Sequence, residues 1–317
     1  MITTDINTVK NTLENNEIVA IPTETVYGLA GNAYNESAIK KIFELKKRPF
    51  YNPLIVHIKS TEFIHQVACD IPEMAIRLAN QFWPGSLTLI VKKQAHIPDL
   101  ITAGKDTVAV RVPNHPLTLA LLEKLDFPLA APSANPFGSI SPTSANHVAN
   151  YFEDNLEFIL DGGECTNGVE STIIGFENNQ AVLYRHGSIA IEEIEKITGK
   201  ISVKSNNNSS PEAPGMLSRH YAPKTTTYLT QNIDELITSF ENKKIGLLLF
   251  QNKIKNETII HQEILSDSGN LKEAAKNLYA AMHRLDKKNL DVIIAEKMPD
   301  NGLGKTINDR LQRAIKK

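Results

Sequence analysis

The stretch Ile18–Leu29 reads IVAIPTETVYGL: an apolar run, then hydroxyls and a carboxylate, then a glycine. The run Ile18–Ile21 predicts a strand, and the polar residues after it predict a confined loop. Loops at strand ends are where α/β proteins commonly hold ligands. A simple strand exit, in which Thr and Glu side chains satisfy turn amides, explains the stretch at least as well when it is taken alone.

Strand-like runs rich in Val, Ile and Leu recur through the first half of the chain. They are Leu54–Ile58, Leu87–Val91, Val108–Val112, Phe158–Leu160, Ser171–Ile174 and Val182–Tyr184. Helical patterns lie between many of them, and the clearest, Glu36–Lys47, is stopped by Pro49. This alternation predicts an α/β fold with a mixed sheet.

The chain of 317 residues is long enough for two domains, and its composition changes at Ser202–Pro223. The segment SNNNSSP at 205–211 cannot bury enough apolar surface to order itself. We therefore predict a first domain over 1–201, a linker over 202–223 and a smaller α/β domain over 224–317.

The smaller domain shows strand-like runs at Thr226–Leu229, Ile245–Phe250 and Asp291–Ala295. Between the last two, Leu271, Ala275, Leu278, Met282 and Leu285 form a regular helical stripe.

Composition excludes several classes of protein. Lys and Arg total 34 against 36 Asp and Glu, so the whole surface is not a basic footprint for nucleic acid, and any RNA contact is local. Cys69 and Cys165 are in no metal-ligand spacing and support neither a disulfide framework nor a zinc site. The N-terminus lacks signal-peptide features and no apolar run approaches the ~20 residues of a membrane helix, so we expect a cytoplasmic protein without membrane contact.

Four candidate ligand-binding residues cluster in sequence after the first predicted helix. Lys46 and Arg48 end that helix, and Asn52 and His57 follow on the approach to a strand and within it. Such a set can grip a polyanion such as a triphosphate. Cations at a helix C-terminus are also what the helix dipole favours, so a stabilised helix end remains an alternative.

Two further features admit both a binding and a structural explanation. Arg111 lies in the apolar run Val108–Val112 and needs a partner, either a buried carboxylate or an anionic substrate such as an amino-acid carboxylate. Ser133, Ser141 and Thr143 precede a helical pattern, where small residues and hydroxyls suit a phosphate, although Ser141 or Thr143 acting as a helix cap explains them equally.

The stretch GLGKT at 302–306 ends like a phosphate-binding loop, but Pro299 occupies the position where that motif needs its first glycine. We interpret it as a loop and a helix start.

Taken together and in order, these segments resemble the threonylcarbamoyl-AMP synthase family, in its two-domain form with a YrdC-like catalytic domain. The motifs that carry the resemblance are PTETVYGL at 22–29, KKRP at 46–49, NPL at 52–54, WPG at 83–85, PSAN at 132–135, SPT at 141–143 and EST at 170–172. APGM at 213–216 and HYAP at 220–223 resemble the family segment that folds over the active site, with Ala213 where a serine is expected. GLG at 302–304 and NDRL at 308–311 resemble the small accessory domain.

The resemblance implies a twisted mixed sheet with flanking helices around a basic cavity, plus a small Rossmann-like α/β C-terminal domain. It implies a reaction that joins L-threonine, bicarbonate and ATP into threonylcarbamoyl-AMP and pyrophosphate. Mg²⁺ is expected to bridge phosphate oxygens with few protein ligands. Downstream transferase proteins then modify tRNA beside the anticodon, so contact of this chain with tRNA is indirect or weak.

The resemblance also implies the site residues. The threonine pocket comprises Thr25, His57, Arg111, Ala131 and Ser171. The nucleotide meets Arg48, Asn52, Thr107, Ser133, Ser141, Arg185 and Tyr221. The residues expected to act on the phosphates are Lys46, Arg48, Ser133 and Asn135, with no metal ligand. Because Tyr221 lies beyond the linker, truncation near residue 200 is expected to weaken ATP binding.

Two rival functions remain. One is a carbamoyltransferase that makes carbamoyl-adenylate from carbamoyl phosphate, although such proteins usually carry zinc-finger cysteines. The other is a non-catalytic RNA-binding module, which the near-neutral charge and the lack of interleaved aromatic motifs disfavour.

Overall fold

The computed structural model describes residues 1–204, 213–216, 220–240, 242–256 and 259–315. Of the linker predicted over 202–223, residues 205–212 and 217–219 therefore lie outside the described residues. Ser202 and Val203 pair in parallel with the strand Gln180–Arg185, so the first sheet extends two residues into the segment expected to be the linker.

The first domain is built on one eleven-stranded mixed sheet. Its strands are β1 (Ile2–Thr3), β2 (Val19–Ile21), β3 (Gly28–Asn32), β4 (Ile55–His57), β5 (Leu87–Lys92), β6 (Thr107–Arg111), β7 (Leu129–Ala130), β8 (Ile159–Leu160), β9 (Thr172–Glu177), β10 (Gln180–Arg185) and β11 (Ser202–Val203). They lie in the order β1-β8-β2-β3-β7-β4-β6-β5-β9-β10-β11. Because β4 and β6 are parallel whereas β5 and β6 are antiparallel, the predicted mixed sheet is confirmed.

Each of the seven strand-like runs predicted in this domain overlaps a strand, and β1, β3, β7 and β11 were not predicted. The omission of β3 matters most. It begins at Gly28 and pairs antiparallel with β2, so the polar residues 22–27 form a tight connection between two neighbouring strands. The loop is therefore held at both ends by the sheet.

Eight helices flank this sheet among the described residues. They are α1 (Ile6–Glu14), α2 (Glu36–Lys46), α3 (Ile64–Val67), α4 (Glu73–Phe82), α5 (Asp99–Thr102), α6 (Pro116–Glu123), α7 (Ala145–Phe152) and α8 (Ile191–Thr198). The side chain of Asn35 caps α2 by accepting from the amide of Ala38, and Lys47 ends the helix in the left-handed region at φ 51°. The buried residues of α2, such as Ile39, Ile42 and Phe43, pack into the main core against β3.

The second domain has a four-stranded parallel sheet in the order β12-β15-β13-β14. Its elements are β12 (Thr226–Thr230), α9 (Ile233–Thr238), β13 (Ile245–Leu249), β14 (Ile259–Ile264), α10 (Leu271–Asp286), β15 (Val292–Glu296) and α11 (Leu303–Ala314). The three predicted strands and the helical stripe on α10 are confirmed. The unpredicted β14 is an edge strand with polar residues in its second half, so it lacks an apolar run.

The two domains share one apolar cluster. Val26, Val169 and Tyr221 pack with residues of α10 and α11, among them Leu278 and Ile307. The second domain therefore packs directly against segments that carry the predicted site. No helix of the described residues is long and apolar enough to span a bilayer.

Candidate active site

A cavity with about 560 Å³ of empty space, counting its open mouth, lies where the sheet, its loops and the linker meet. Its lining residues are Thr23, Thr25, Val26, Gly28, Arg48, Ile55, His57, Arg111, Ala131, Pro132, Ser133, Glu170, Ser171, Arg185, Pro214, Gly215, His220 and Tyr221. All five predicted threonine residues are in this set, and so are four of the seven predicted nucleotide residues. The structure therefore brings together segments that lie far apart in sequence.

Arg111 is held from three directions. Its guanidinium bonds Glu24 Oε1 at 2.5 Å, Thr25 Oγ1 at 3.0 Å and the carbonyl of Gly85 at 3.0 Å. Arg111 and Glu24 are both buried, so this is an internal ion pair of the kind that a charge in an apolar strand requires. Both explanations offered for Arg111 thus stay open, because the paired guanidinium also lines the cavity.

His57 lies beside Arg111 because β4 and β6 are in parallel register with these two residues paired. Burial and the neighbouring Arg111 charge lower the pKa of His57 to about 3, so the ring is neutral at physiological pH. Its Nδ1 is buried and has no hydrogen-bond partner among the described residues. A buried polar atom at a cavity wall is ready to bind a polar ligand group.

Arg48 contributes charge that no carboxylate of the described residues neutralises. Its guanidinium donates to the carbonyls of Asn52 at 3.2 Å and Pro53 at 2.8 Å. Burial lowers the pKa of Arg48 to about 9, so it remains charged at neutral pH. The side-chain amide of Asn52 is buried, and it has no hydrogen-bond partner among the described residues.

Lys46 does not line the cavity. Its ammonium donates to the carbonyls of Ser133 and Asn135, and burial together with the Arg48 charge lowers its pKa well below the usual value. Asn135 in turn donates to the carbonyls of Pro136 and Ser139. Lys46 and Asn135 thus shape the 133–139 loop, on which Ser133 lines the cavity.

Arg185 joins the end of β10 to the linker. It donates to the carbonyl of Ser171 at 3.1 and 2.8 Å, to Ser171 Oγ at 3.0 Å and to the carbonyl of Pro214 at 3.0 Å. As with Arg48, no described carboxylate forms an ion pair with it. The cavity is therefore positive on two sides.

Ser141 lies behind the cavity wall and caps no helix. Its hydroxyl donates to Glu170 Oε1 at 2.6 Å, and the N-cap of α7 is Ser144, which accepts from the amide of His147. The alternative explanation, in which Ser141 or Thr143 caps this helix, is thus wrong, because the helix begins at Ala145, one residue after Ser144. The other partners of Glu170 come from the second domain: Tyr279 Oη at 2.9 and 3.0 Å, and Arg310 Nε at 2.8 Å.

Tyr221 closes the cavity from the linker side. It is buried in the left-handed region at φ 62°, an unusual conformation for a bulky residue. Its ring stacks near Tyr279, and the Arg310 guanidinium carbon lies 4.8 Å from the ring centroid. Gly215 has φ 79°, and a Cβ there would lie 2.6 Å from the Tyr221 hydroxyl, so only glycine fits.

Thr107 lies at the other end of β6, about 13 Å from Arg111 along the strand. The two side chains share a face of the sheet, with Ala109 between them. Ala109 packs in an apolar cluster with Ala213 and Met216 of the linker. The structure therefore does not bring Thr107 to the cavity.

Sequence reasoning assigned no role to Glu24, Glu170, Tyr279, His220 or Arg310. For Glu24 a signal existed, because Arg111 needed a partner and Glu24 lies in a motif already singled out. Glu170 also lay in a quoted motif. Arg310 lay in the quoted motif NDRL and Tyr279 in none, but neither could be linked to Glu170, since more than a hundred residues separate them from it.

Within the part of the chain that the structure describes, the site offers no carboxylate cage for a divalent cation. Both carboxylates near the cavity, Glu24 and Glu170, already pair with arginines. Among the residues that the structure describes, no group of three or more His, Cys, Asp or Glu side chains could hold a metal ion. These residues do not fit a resident Mg²⁺.

Two family models divide the chain between them. The model described as "Telomere recombination" matches residues 11–187, and that of the "Threonylcarbamoyl-AMP synthase, C-terminal domain" matches residues 189–315. A threonylcarbamoyl-AMP synthase of Pyrococcus abyssi is 44% identical, with 94% of this chain and 90% of the relative covered. That of Bacillus subtilis is 41% identical, with 95% and 90% covered. The crystal structure of P. abyssi Sua5 with L-threonine superposes with a TM-score of 0.91 at 42% identity, covering 98% of this chain and 93% of that one.

Proposed function

The chain belongs to the two-domain threonylcarbamoyl-AMP synthase family, and from this premise we propose how its own residues serve that reaction. It uses ATP to make the adenylate threonylcarbamoyl-AMP. The observation that carries the proposal is that the threonine set and the cations Arg48 and Arg185 line one cavity.

We propose that threonine occupies the Arg111 side of the cavity. Its carboxylate would face the Arg111 guanidinium, which Glu24, Thr25 and the Gly85 carbonyl hold in a fixed orientation. The neutral His57 and the Ser171 hydroxyl would accept or donate hydrogen bonds to its polar groups, and Ala131 would contact its methyl group. Ser171 is itself oriented by Thr88, 2.7 Å away.

The chemistry needs no enzyme nucleophile. The threonine amine attacks bicarbonate, with loss of water, to give a carbamate. A carbamate oxygen attacks the α-phosphorus of ATP, the bond from that phosphorus to the α,β-bridging oxygen breaks, and pyrophosphate leaves with the electron pair. The protein has to align the reactants and stabilise phosphate charge, which suits Arg48, Arg185 and the amides of the Ser133 loop.

Lys46 and Asn135 serve this step through the loop that they shape. Because the Lys46 ammonium is bound to two carbonyls of the 133–135 segment, it orients Ser133 toward the phosphates. Mg²⁺ would enter as the counter-ion of ATP, since the described residues offer no cage for it. Downstream transfer to tRNA, with indirect or weak contact from this chain, belongs to the same proposal.

A nucleotide that extends to Thr107 has to displace the linker. The path from Arg111 to Thr107 crosses Ala109, which Ala213 and Met216 cover. Asn52 and Ser141 also lie behind the cavity wall and would need the wall to open. We propose that the linker lifts for ATP and that Tyr221 then covers the bound nucleotide.

Incubation with ATP, bicarbonate and radiolabelled threonine tests the proposal. A labelled adenylate and threonine-dependent pyrophosphate release are expected. Arg48→Ala is expected to lower kcat/KM for ATP on the order of 10²-fold. Lys46→Ala is expected to lower it as well. Arg284→Ala, on the surface of the second domain, is the matched control and keeps full activity.

Two outcomes contradict the proposal. Adenylate formation only with carbamoyl phosphate would identify a carbamoyltransferase. No adenylate under any condition, together with RNA binding, would identify a binding module. Unchanged pyrophosphate release in both Arg48→Ala and Lys46→Ala would refute the assigned residue roles alone.

A further inference from the structure

Glu170 creates an electrostatic problem for a site that binds a triphosphate. Glu170 is one of the residues that line the same cavity as Arg48 and Arg185. A free carboxylate there would repel phosphate groups and would attract the arginines intended for them. The side chain is buried, so water cannot screen its charge.

Residues of the second domain pair with this carboxylate from outside the cavity. Arg310 Nε donates to Glu170 Oε2 at 2.8 Å, and Tyr279 Oη contacts both carboxylate oxygens at 3.0 and 2.9 Å. Ser141 completes the set from the first domain. Burial alone would raise the pKa of Glu170, but attraction by Arg310 and Arg185 and the Ser141 hydrogen bond leave it at about 2.

Arg310 also reaches two other segments of the site. Its Nη2 donates to the carbonyl of His186, the residue after Arg185, at 2.6 Å, and its guanidinium packs on the ring of Tyr221. Its Nη1 pairs with Asp309 at 2.5 Å. With no exposed surface, Arg310 is thus a fixed link between α11 and the cavity wall.

Arg185 is the residue whose charge stays available because Glu170 is paired elsewhere. Its guanidinium donates to the Ser171 hydroxyl and to the carbonyls of Ser171 and Pro214, and none of these uncharged partners neutralises it. It is close enough to Glu170 for each charge to influence the pKa of the other. If Glu170 lost its partners on the second domain, Arg185, which lines the same cavity and already acts on the Glu170 charge, would be a cation available to it.

On the basis of the proposed function, we propose that Arg310, assisted by Tyr279, is a positioning residue of the active site. It holds the Glu170 carboxylate on the accessory-domain side and thereby keeps Arg185 available to the triphosphate. The accessory domain is then part of the nucleotide site, although it contributes no residue to the cavity surface described above.

The test is a charge-rescue series on the full chain. Arg310→Met removes the charge with little change in volume, and we expect about tenfold weaker binding of a non-hydrolysable ATP analogue and a similar rise in KM for ATP. The kcat value and calorimetric threonine affinity are expected to stay within about threefold of wild type. Adding Glu170→Gln to Arg310→Met is expected to restore ATP affinity, because no unpaired charge remains.

Further variants keep the proposal open to refutation if Arg310→Met folds poorly. Tyr279→Phe removes one hydroxyl and is expected to weaken ATP binding by about threefold. Arg310→Lys keeps the charge and is expected to recover part of the loss. Arg284→Met, which breaks only the surface pair with Glu263, is the control and leaves ATP affinity unchanged.

Unchanged ATP affinity in Arg310→Met and Tyr279→Phe would overturn the inference. So would a loss that Glu170→Gln does not rescue, because the contact would then be simple domain packing. A wild-type chain that binds the ATP analogue but forms no adenylate would refute the proposed function while the affinity series still decided this inference.

Discussion

Two buried arginine–glutamate pairs flank the cavity, and they are built differently. Arg111 and Glu24 both belong to the first domain, whereas Arg310 of the second domain pairs with Glu170 of the first. In the first pair the arginine lines the cavity, and in the second the glutamate does. The charge that the cavity presents to a polyanion therefore depends on which partner of each ion pair lines the cavity and which partner lies outside its lining.

Each pair also has a buried histidine beside it. His57 lies next to Arg111, and the Nε2 of His283 lies 3.2 Å from the carbonyl of Ser141, whose hydroxyl bonds Glu170. Burial lowers the pKa of His57 to about 3 and that of His283 to about 4. A neutral imidazole therefore lies beside each pair, but of the two only His283 lies between the domains.

The largest effect is expected from breaking the pair within the first domain. Arg111→Met leaves Glu24 buried with the amide of Asn114 as its remaining partner, so we expect the free energy of unfolding to fall by about 3–5 kcal/mol. Urea unfolding followed by fluorescence of Trp83, the single tryptophan, measures it. The double variant Glu24→Gln/Arg111→Met is expected to recover most of the stability but no threonine-dependent turnover.

Arg310→Met is expected to shift the same transition less than Arg111→Met does. Glu170 loses its ion pair but keeps hydrogen bonds from Ser141 and Tyr279, so part of the solvation of its carboxylate remains. Equal shifts in the two variants would show that the two pairs are equivalent in stability, and the contrast drawn between them would be lost.

A smaller effect is expected from acid at the interface between the domains. An unfolded chain has histidines with a pKa near 6.5, so between pH 6.5 and about 4 it takes up a proton that folded His283 refuses. Stability therefore falls as pH falls, by about 2 kcal/mol at pH 5 for this one ring. His147 stacks on it with ring centroids 4.0 Å apart and also has a lowered pKa, through burial and then the His283 charge.

His283→Gln removes this titration while keeping a donor for the Ser141 carbonyl. Urea midpoints at pH 7.5 and 5.0 should differ less in the variant than in wild type, and His65→Gln, on an exposed position of α3, is the control. A variant that loses as much stability in acid as wild type would show that His283 does not carry the acid sensitivity.

The elements that could be predicted from sequence are those whose signal is local. An apolar run of four or five residues marks a buried strand, which is why β4, β5 and β6 were found, and Pro49 marked the end of α2. β3 escaped because GLAGN has small residues and two glycines, so its burial comes from the tight packing of Ile18 and Ile42 around Gly31 and not from an apolar pattern. β7 and β11 are only two residues long and exist through their neighbours.

The site residues that could be predicted from sequence are likewise those whose signal is local. Residues within recognisable motifs, such as Arg48, Ser133 and Ser171, line the cavity, whereas Thr107 stands apart because strand geometry and a covering linker decide its position. Whether a charge is paired depends on residues far away in sequence. Glu24 could have been matched to Arg111 by chemistry alone, but nothing in the motif NDRL indicated that Arg310 would meet a carboxylate 140 residues earlier.

The smallest effect is expected at the other charged contact of α11. Lys305 pairs with Glu192 at 2.7 Å, but both side chains are substantially exposed, so Lys305→Met should change stability by less than about 0.5 kcal/mol. The neighbouring Thr306 donates to the carbonyl of Gly187, which confirms that GLGKT is a helix start docked on the first domain. ATP affinity is therefore expected to be unchanged in Lys305→Met. A tenfold loss would make this segment a phosphate-binding loop after all, and the contrast between a buried and an exposed cation on the same helix would fail.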